Sequence, residues 1–203
     1  MQKQSTFNLR SVGVAATLVA ASLAFAGCTT TRPNDSGTAT SQRSDIDAGV
    51  DSALSRLYQT APSSRDLVAR AKGVLVFPDV LSAGFVVGAE HGRGALLVDG
   101  KKQSYYSTTG GSIGFQAGAQ SKAVFVLFMT DEALSRFQQS QGWTVGADAT
   151  VAVAKIGANG SVDSNTIRQP VVGFVLNNAG LMAGVSLDGA KINRLDVGST
   201  RNR

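Results

Sequence analysis

The segment that decides the fold is Ala123-Val-Phe-Val-Leu-Phe-Met129, seven consecutive apolar residues. In an extended strand, this run presents apolar side chains to both faces, and both faces then have to be covered by other parts of the protein. The sequence therefore predicts that residues 123–129 form the central, fully buried strand of a sheet.

Shorter predicted strands lie on both sides of this segment, because apolar residues recur with a period of two from Gly73 to Leu195. Glycine is frequent, with 23 of 203 residues, as in kinked or strongly curved strands. Asp99-Gly100, Asn159-Gly160 and Asp188-Gly189 suit tight hairpin turns. The predicted strands are 74–77, 83–89, 95–98, 103–107, 112–119, 123–129, 144–155, 171–176, 181–187 and 191–195.

Three helices are predicted around these strands. The first begins at Ser44, carries an apolar stripe from Ile46 to Tyr58 and ends before Pro62. A short second helix covers 63–71, and a third covers 131–141, with Thr130 as its cap. The acidic polar face of the first helix favours packing on the core over a basic membrane-surface helix. The predicted fold is α+β, mainly antiparallel β, with two N-terminal helices packed on a curved, Gly-rich β-sheet or barrel and one inserted helix.

The N-terminus has the features of a secretory signal. Lys3 and Arg10 precede an apolar run over 12–26, and small residues lead to Cys28, the single cysteine of the chain. A cysteine after Ala-Gly resembles the lipobox of bacterial lipoproteins, and the run is shorter than the ~20 apolar residues of a membrane span. We expect residues 1–27 to be a lipoprotein signal peptide and Cys28 to be the acylated anchor. The alternative is an ordinary signal followed by an unmodified cysteine.

Behind the anchor, the sequence predicts three further parts. Residues 28–43 contain no large apolar residue and are expected to form a flexible tether, followed by one domain over 44–196 and a polar tail over 197–203. Without the signal peptide, 17 basic and 14 acidic residues remain, a formal charge of +3. This mild excess suits anionic phospholipid headgroups and does not indicate a nucleic-acid partner.

The first predicted hairpin carries the candidate lipid-binding residues. Lys101 and Lys102 follow the turn, and Tyr105 and Tyr106 lie just beyond it. A basic residue near an anionic membrane contributes ~1 kcal/mol, and tyrosine is enriched at membrane interfaces. An ordinary solvated hairpin tip is the alternative. The further basic candidates are Arg70, Lys72 and Arg93.

The sequence does not indicate an enzyme. Gly110-Gly-Ser112-Ile-Gly114 matches the Gly-x-Ser-x-Gly elbow of serine hydrolases, which requires a strand–turn–helix and a later histidine. The residues after Ser112 alternate as in a strand, and His91, the single histidine, precedes it. We expect no catalytic residue, metal site or cofactor, and we expect Gly111 and Gly114 to lie in a crowded, kinked strand.

Several segments, taken in order, resemble the SYLF domain family. They are 71–78 (AKGVLVFP), 84–88 (GFVVG), 92–97 (GRGALL), 111–121 (GSIGFQAGAQS), 146–153 (GADATVAV) and 180–187 (GLMAGVSL). The resemblance implies a non-catalytic lipid-binding module; eukaryotic members bind phosphoinositides, and some bind actin.

These observations together predict a phospholipid-binding lipoprotein of the bacterial cell envelope. Thr29 follows the predicted anchor, where Asp would favour retention in the inner membrane, so we expect the outer membrane, on its periplasmic side. The alternative is a structural or protein-interaction lipoprotein whose lipid contact is its own anchor.

Overall fold

A computed structural model describes residues 35–155, 162–182 and 185–197. The chain divides into two units, Met1–Arg32 and Pro33–Arg203, and every described residue belongs to the second. The predicted signal peptide, Cys28, the turn at Asn159-Gly160 and residues 198–203 lie outside the described residues. Among the described helices, none is long and apolar enough to cross a membrane.

The described residues form one curled sheet with helices packed against it. The helices are α1 (Asp35–Thr60), α2 (Ser64–Arg70), α3 (Asp131–Gln139) and α4 (Ser164–Ile167). The strands are β1 (Gly73–Val98), β2 (Lys101–Phe128), β3 (Trp143–Thr144), β4 (Ala152–Val153), β5 (Val171–Asn177), β6 (Gly180–Leu181) and β7 (Lys191–Leu195).

The strand order is β3-β7-β2-β5-β4, with β1 paired to β2 and β6 paired to β5. Of these pairings, β4–β5 is parallel and the others are antiparallel. The sheet curls strongly into a half-barrel, which confirms the predicted α+β class with mainly antiparallel strands.

A long two-stranded ribbon of β1 and β2 replaces six of the shorter predicted strands. Its register runs from Gly73 opposite Phe128 to Val98 opposite Lys101. The ribbon folds back on itself. Gly94 lies so close to Val76 that a Cβ on Gly94 would overlap the Val76 carbonyl oxygen. In a straight strand these two residues would be about 60 Å apart. Glycine at position 94 therefore allows two layers of backbone, the parts of β1 around Val76 and around Gly94, to come into contact.

The central strand is confirmed. Residues 123–128 of β2 lie between β1 and β5, where Phe125 is opposite both Val76 and Phe174. All six side chains are buried. Ala123, Phe125 and Leu127 belong to one apolar cluster, and the alternate residues belong to a second one. The sheet therefore has a core on each face.

Different helices cover the two faces. On the first face, α1 contributes a buried stripe that includes Ile46, Val50 and Leu57. On the second face, α3 contributes Phe137, whose ring centroid lies 4.8 Å from that of Phe128 and 5.5 Å from that of Trp143. The predicted cap of α3 is also confirmed, because the Thr130 hydroxyl accepts a hydrogen bond from the Ala133 amide at 3.2 Å.

The first helix is longer than predicted. Helix α1 begins at Asp35, so residues 35–43, which were expected to belong to the flexible tether, are helical. Two features favour this start. Asp35 suits the positive end of the helix dipole, and Arg43 gains a contact with Tyr105 in β2.

The other differences concern predicted strands. The predicted strand 144–155 is reduced to Trp143–Thr144 and Ala152–Val153, because the chain turns in between. The Asp148 carboxylate accepts from the Thr144 amide at 2.6 Å, and Gly146 has a φ of +88°. In the predicted strand 181–187, β6 includes Leu181 alone. The short helix α4 was not predicted.

The expected crowding at Gly111 is wrong. Among the described residues, a Cβ at this position would meet nothing nearer than the carbonyl oxygen of Gly88, at 4.0 Å. The close backbone approach within the ribbon occurs at Gly94 instead.

Candidate functional site

The tip of the β1–β2 ribbon is built by a tight turn. Asp99 and Gly100 both have positive φ, +51° and +72°, which is the conformation of a type I′ hairpin turn. Lys101 follows the turn and is exposed, whereas the next residue, Lys102, packs against α1. The two neighbouring lysines therefore have different environments.

Lys102 forms an ion pair with α1. Its Nζ lies 2.7 Å from Oδ1 and 2.8 Å from Oδ2 of Asp51. The Lys102 side chain is only 20% exposed, whereas that of Asp51 is 66% exposed. Because Asp51 is well solvated, the pair contributes little to stability, roughly 0.2–1 kcal/mol. It does fix the position of the ammonium group.

Tyr105 makes a second contact with the same helix. Its hydroxyl donates to Asp47, at 3.1 Å from Oδ1 and 3.3 Å from Oδ2. Asp47 and Asp51 are four residues apart and therefore share one face of α1. A register shift near Gln103 adds a residue to β2 between Lys102 and Tyr105. Such a bulge lets side chains three positions apart point to the same side of the sheet.

Tyr105 remains a hydrogen-bond donor at neutral pH. Burial, the charge of Asp47 and the hydrogen bond to that carboxylate all raise the pKa of Tyr105, while Arg43 opposes the shift. The Arg43 guanidinium lies over the tyrosine ring, with Cζ 5.8 Å from the ring centroid. Arg43 Nε is buried and, within the described part of the chain, has no hydrogen-bond acceptor.

A polar groove of about 490 Å³ opens beside these contacts. We call it the basic groove, because three cations from α1, β2 and β7 line it along with one carboxylate. Strand β7 is placed there by its pairing with β2, in which Leu195 is opposite Tyr105. The lining residues are Arg43, Lys102, Gln103, Ser104, Tyr105, Arg194, Leu195, Asp196 and Val197.

Tyr106 does not belong to this surface. It is 5% exposed and belongs to the core on the opposite face of the sheet, where its ring centroid lies 4.9 Å from that of Phe137. Neighbouring residues of a strand point to opposite faces. Tyr105 and Tyr106 therefore cannot face one ligand together, which corrects the grouping of both as candidates.

The other predicted basic residues lie outside the basic groove. Lys72 Nζ is 3.3 Å from Oδ2 of Asp131 at the start of α3. Arg70 Nε donates to the backbone oxygen of Asp66 at 3.1 Å. Arg93 is exposed on β1, opposite Ser107. These three residues do not gather into one site with Lys102.

The residues that the sequence reasoning missed are Arg43, Arg194 and the two aspartates of α1. The four-residue spacing of Asp47 and Asp51 was a usable signal for one polar face. Arg43 was assigned to the tether, and Arg194 had no local signal at all. These two arginines are 151 positions apart in the chain, and only the packing of α1 and β7 on the sheet brings them to one groove.

Neither of the residues considered for catalysis has the geometry of an active site. Ser112 lies within β2, opposite Gly88, and the strand continues to Phe128 without a helix. The nucleophile elbow is therefore absent at this serine. His91 lies in β1 opposite Thr109 and is exposed.

Comparisons with known proteins agree with the sequence resemblance. Residues 109–197 match the Ysc84 family, described as "Las17-binding protein actin regulator". The chain is 32% identical over 129 residues to "SH3 domain-containing YSC84-like protein 1" of Rattus norvegicus. The aligned region covers 61% of this chain and 38% of the relative. The Homo sapiens protein of that name is 34% identical over 131 residues, 61% of this chain and 37% of the relative.

The chain thus spans well under half the length of the relatives that it matches. The matched family region contains most of β2 and every later helix and strand through β7. Over about three fifths of its length, the chain is therefore similar to the YSC84-like proteins.

Proposed function

We propose that this chain is a lipid-anchored SYLF module that binds phospholipid without catalysing a reaction. The observation that carries the proposal is the convergence of Arg43, Lys102 and Arg194 on one groove, next to the exposed Lys101 at the ribbon tip. Basic side chains near an anionic bilayer are attracted to its headgroups. The homology to YSC84-like proteins, together with the lipid binding implied by the SYLF resemblance, supports the same proposal.

The anchor and the location are part of the proposal. Cys28 follows Ala-Gly at the end of an apolar run, as in bacterial lipoproteins. Acylation at this cysteine, with Thr29 after it, would hold the domain at the outer membrane on the periplasmic side. Two or more acyl chains give stable anchoring, whereas a single chain binds reversibly.

Sedimentation with vesicles tests the lipid contact. The predicted mature chain, residues 28–203, carrying Cys28→Ser so that it cannot be acylated at this position, should sediment more with anionic phosphatidylglycerol vesicles than with zwitterionic phosphatidylcholine vesicles. The excess should shrink as salt rises, because the Debye length falls from ~10 Å at 0.1 M to ~3 Å at 1 M.

Lys101→Glu is the informative variant in that assay, because Lys101 is exposed and its replacement should leave the fold intact. It should reduce the anionic excess. Lys155→Glu is the matched control, since Lys155 is exposed just after the edge strand β4 and does not line the basic groove. Lys102→Glu is less suitable, because the new carboxylate would face Asp51 and loosen α1.

A protein-interaction function is the second candidate. The matched family is described as "Las17-binding protein actin regulator", which names protein partners. In this case the lipid contact of the chain would be its own anchor alone. Equal sedimentation with both kinds of vesicle at every salt concentration would favour this alternative and would exclude an electrostatic lipid site.

A further inference from the structure

The basic groove has the donors of an anion site. Its cations come from three elements that the fold brings together: Arg43 from α1, Lys102 from β2 and Arg194 from β7. Against these three positive groups, one carboxylate lines the groove, that of Asp196. Lys102 is held by Asp51, but an ammonium group has three N–H donors and can serve a second acceptor.

The two arginines give this site its chemical preference. A guanidinium group is planar and presents parallel N–H donors that match phosphate oxygens. Arg43 is oriented by its position over the Tyr105 ring, and Tyr105 is in turn held by Asp47. Among the described residues, Arg194 forms no ion pair. Arg43 is therefore oriented before any ligand arrives, and Arg194 lines the groove with no ion pair among these residues to break.

The size of the groove agrees with an esterified phosphate. Small-molecule sites in proteins have volumes of roughly 300–1,000 Å³, and the basic groove is about 490 Å³. This volume exceeds the needs of a phosphate group alone and leaves room for a small group attached to it, such as glycerol.

We propose that the basic groove binds a phosphate group, with Arg43 and Arg194 as the principal donors and Lys102 as a third. The inference rests on the proposed phospholipid binding for the origin of the phosphate, a lipid headgroup. A free phosphate compound has the same binding chemistry, and the experiment separates the two sources.

Calorimetric titration of the full chain with inorganic phosphate and with glycerol 3-phosphate measures the site directly. Arg43→Gln and Arg194→Gln should each weaken the binding by about tenfold or more, because each removes a hydrogen bond between charged groups. Arg56→Gln is the matched control: it lies on α1 but outside the lining of the groove, and should change the affinity by less than twofold. Circular dichroism establishes that each variant is folded. Arg43→Lys and Arg194→Lys, which keep the charge, should retain part of the affinity.

Sedimentation of the same variants with phosphatidylglycerol vesicles identifies the source of the phosphate. If both arginine variants lose vesicle binding and glycerol 3-phosphate competes with the vesicles, the groove is a headgroup site. If the arginine variants lose affinity for the soluble anions but still sediment with the vesicles, the groove is a site for free phosphate compounds. The proposed lipid contact then has to lie elsewhere. Unchanged affinity for both soluble anions in both arginine variants, or no binding of either anion, would overturn the inference and leave the vesicle result to stand by itself.

Discussion

The close approach at Gly94 gives the sharpest test of how the ribbon is folded. A Cβ at this position would lie 2.8 Å from the carbonyl carbon of Val76 and 2.7 Å from Cδ1 of Phe77, besides overlapping the Val76 oxygen. The atoms of Val76 belong to the backbone and cannot rotate away. Since carbon atoms pack at ~3.5–4.0 Å, the two layers would have to separate by on the order of 1 Å.

The cost of Gly94→Ala follows from that separation. Val76 and Phe77 are fully buried, so a shift of the layers disturbs both cores. Overpacking of this kind typically costs ~1–3 kcal/mol, and backbone contacts place this site at the upper end. The lower entropy of the unfolded chain returns ~0.4–1 kcal/mol. The expected net loss is about 2 kcal/mol, equivalent to a melting temperature lower by about 4–8 °C.

Thermal unfolding followed by circular dichroism measures this loss, with Gly111→Ala as the control. Gly111 lies in the same ribbon, but a Cβ there would meet no described atom nearer than 4.0 Å. The control should therefore melt at the temperature of the original chain or slightly above it. If Gly94→Ala and Gly111→Ala melt at the same temperature, the ribbon is not folded back at Gly94 as described.

Two further predictions concern single side chains. Burial and Asp47 raise the pKa of Tyr105 above the ordinary 10.0, so the folded protein keeps the phenol proton to a higher pH than the unfolded chain does. The contribution of the protonated Tyr105 to stability is therefore complete below pH 10 and declines as the pH rises through the raised pKa. Tyr105→Phe should cost about 1 kcal/mol at pH 7 in urea unfolding and should lose stability less steeply above pH 10; an unchanged pH dependence would contradict this role. For Cys28, mass spectrometry of the mature protein should find acyl groups on an N-terminal cysteine, whereas a free thiol or cleavage elsewhere would refute the anchor.

The features that were predicted correctly are those that local patterns determine. The run 123–129 indicated a buried central strand because it is apolar on both faces, and residues 123–128 do lie between β1 and β5. The strand Lys191–Leu195 has the predicted bounds. The third helix has its predicted start and cap, since Thr130 accepts from the third residue of the helix as such caps do.

The features that were missed depend on contacts between distant residues. The alternation of apolar residues in β1 does not predict the contact between Gly94 and Val76, because this alternation is the same in a straight ribbon and in a folded one. The basic groove was missed for the same reason, since Arg43 and Arg194 come together only when α1 and β7 pack beside β2. The grouping of Tyr105 with Tyr106 is the exception, because strand alternation alone places adjacent side chains on opposite faces.

The acidic face of α1 has a different meaning in the structure from the one in the sequence. In the sequence, its aspartates favoured packing of the helix on the core over a basic membrane-surface helix, and α1 does pack on the core. The structure adds that Asp47 and Asp51 face β2, where they bind the Tyr105 hydroxyl and the Lys102 ammonium. Two of the negative charges are thereby committed to positioning the walls of the basic groove. The negative charge of α1 therefore does not exclude an anionic ligand at the basic groove, and the guanidinium groups of Arg43 and Arg194 are the groups to test.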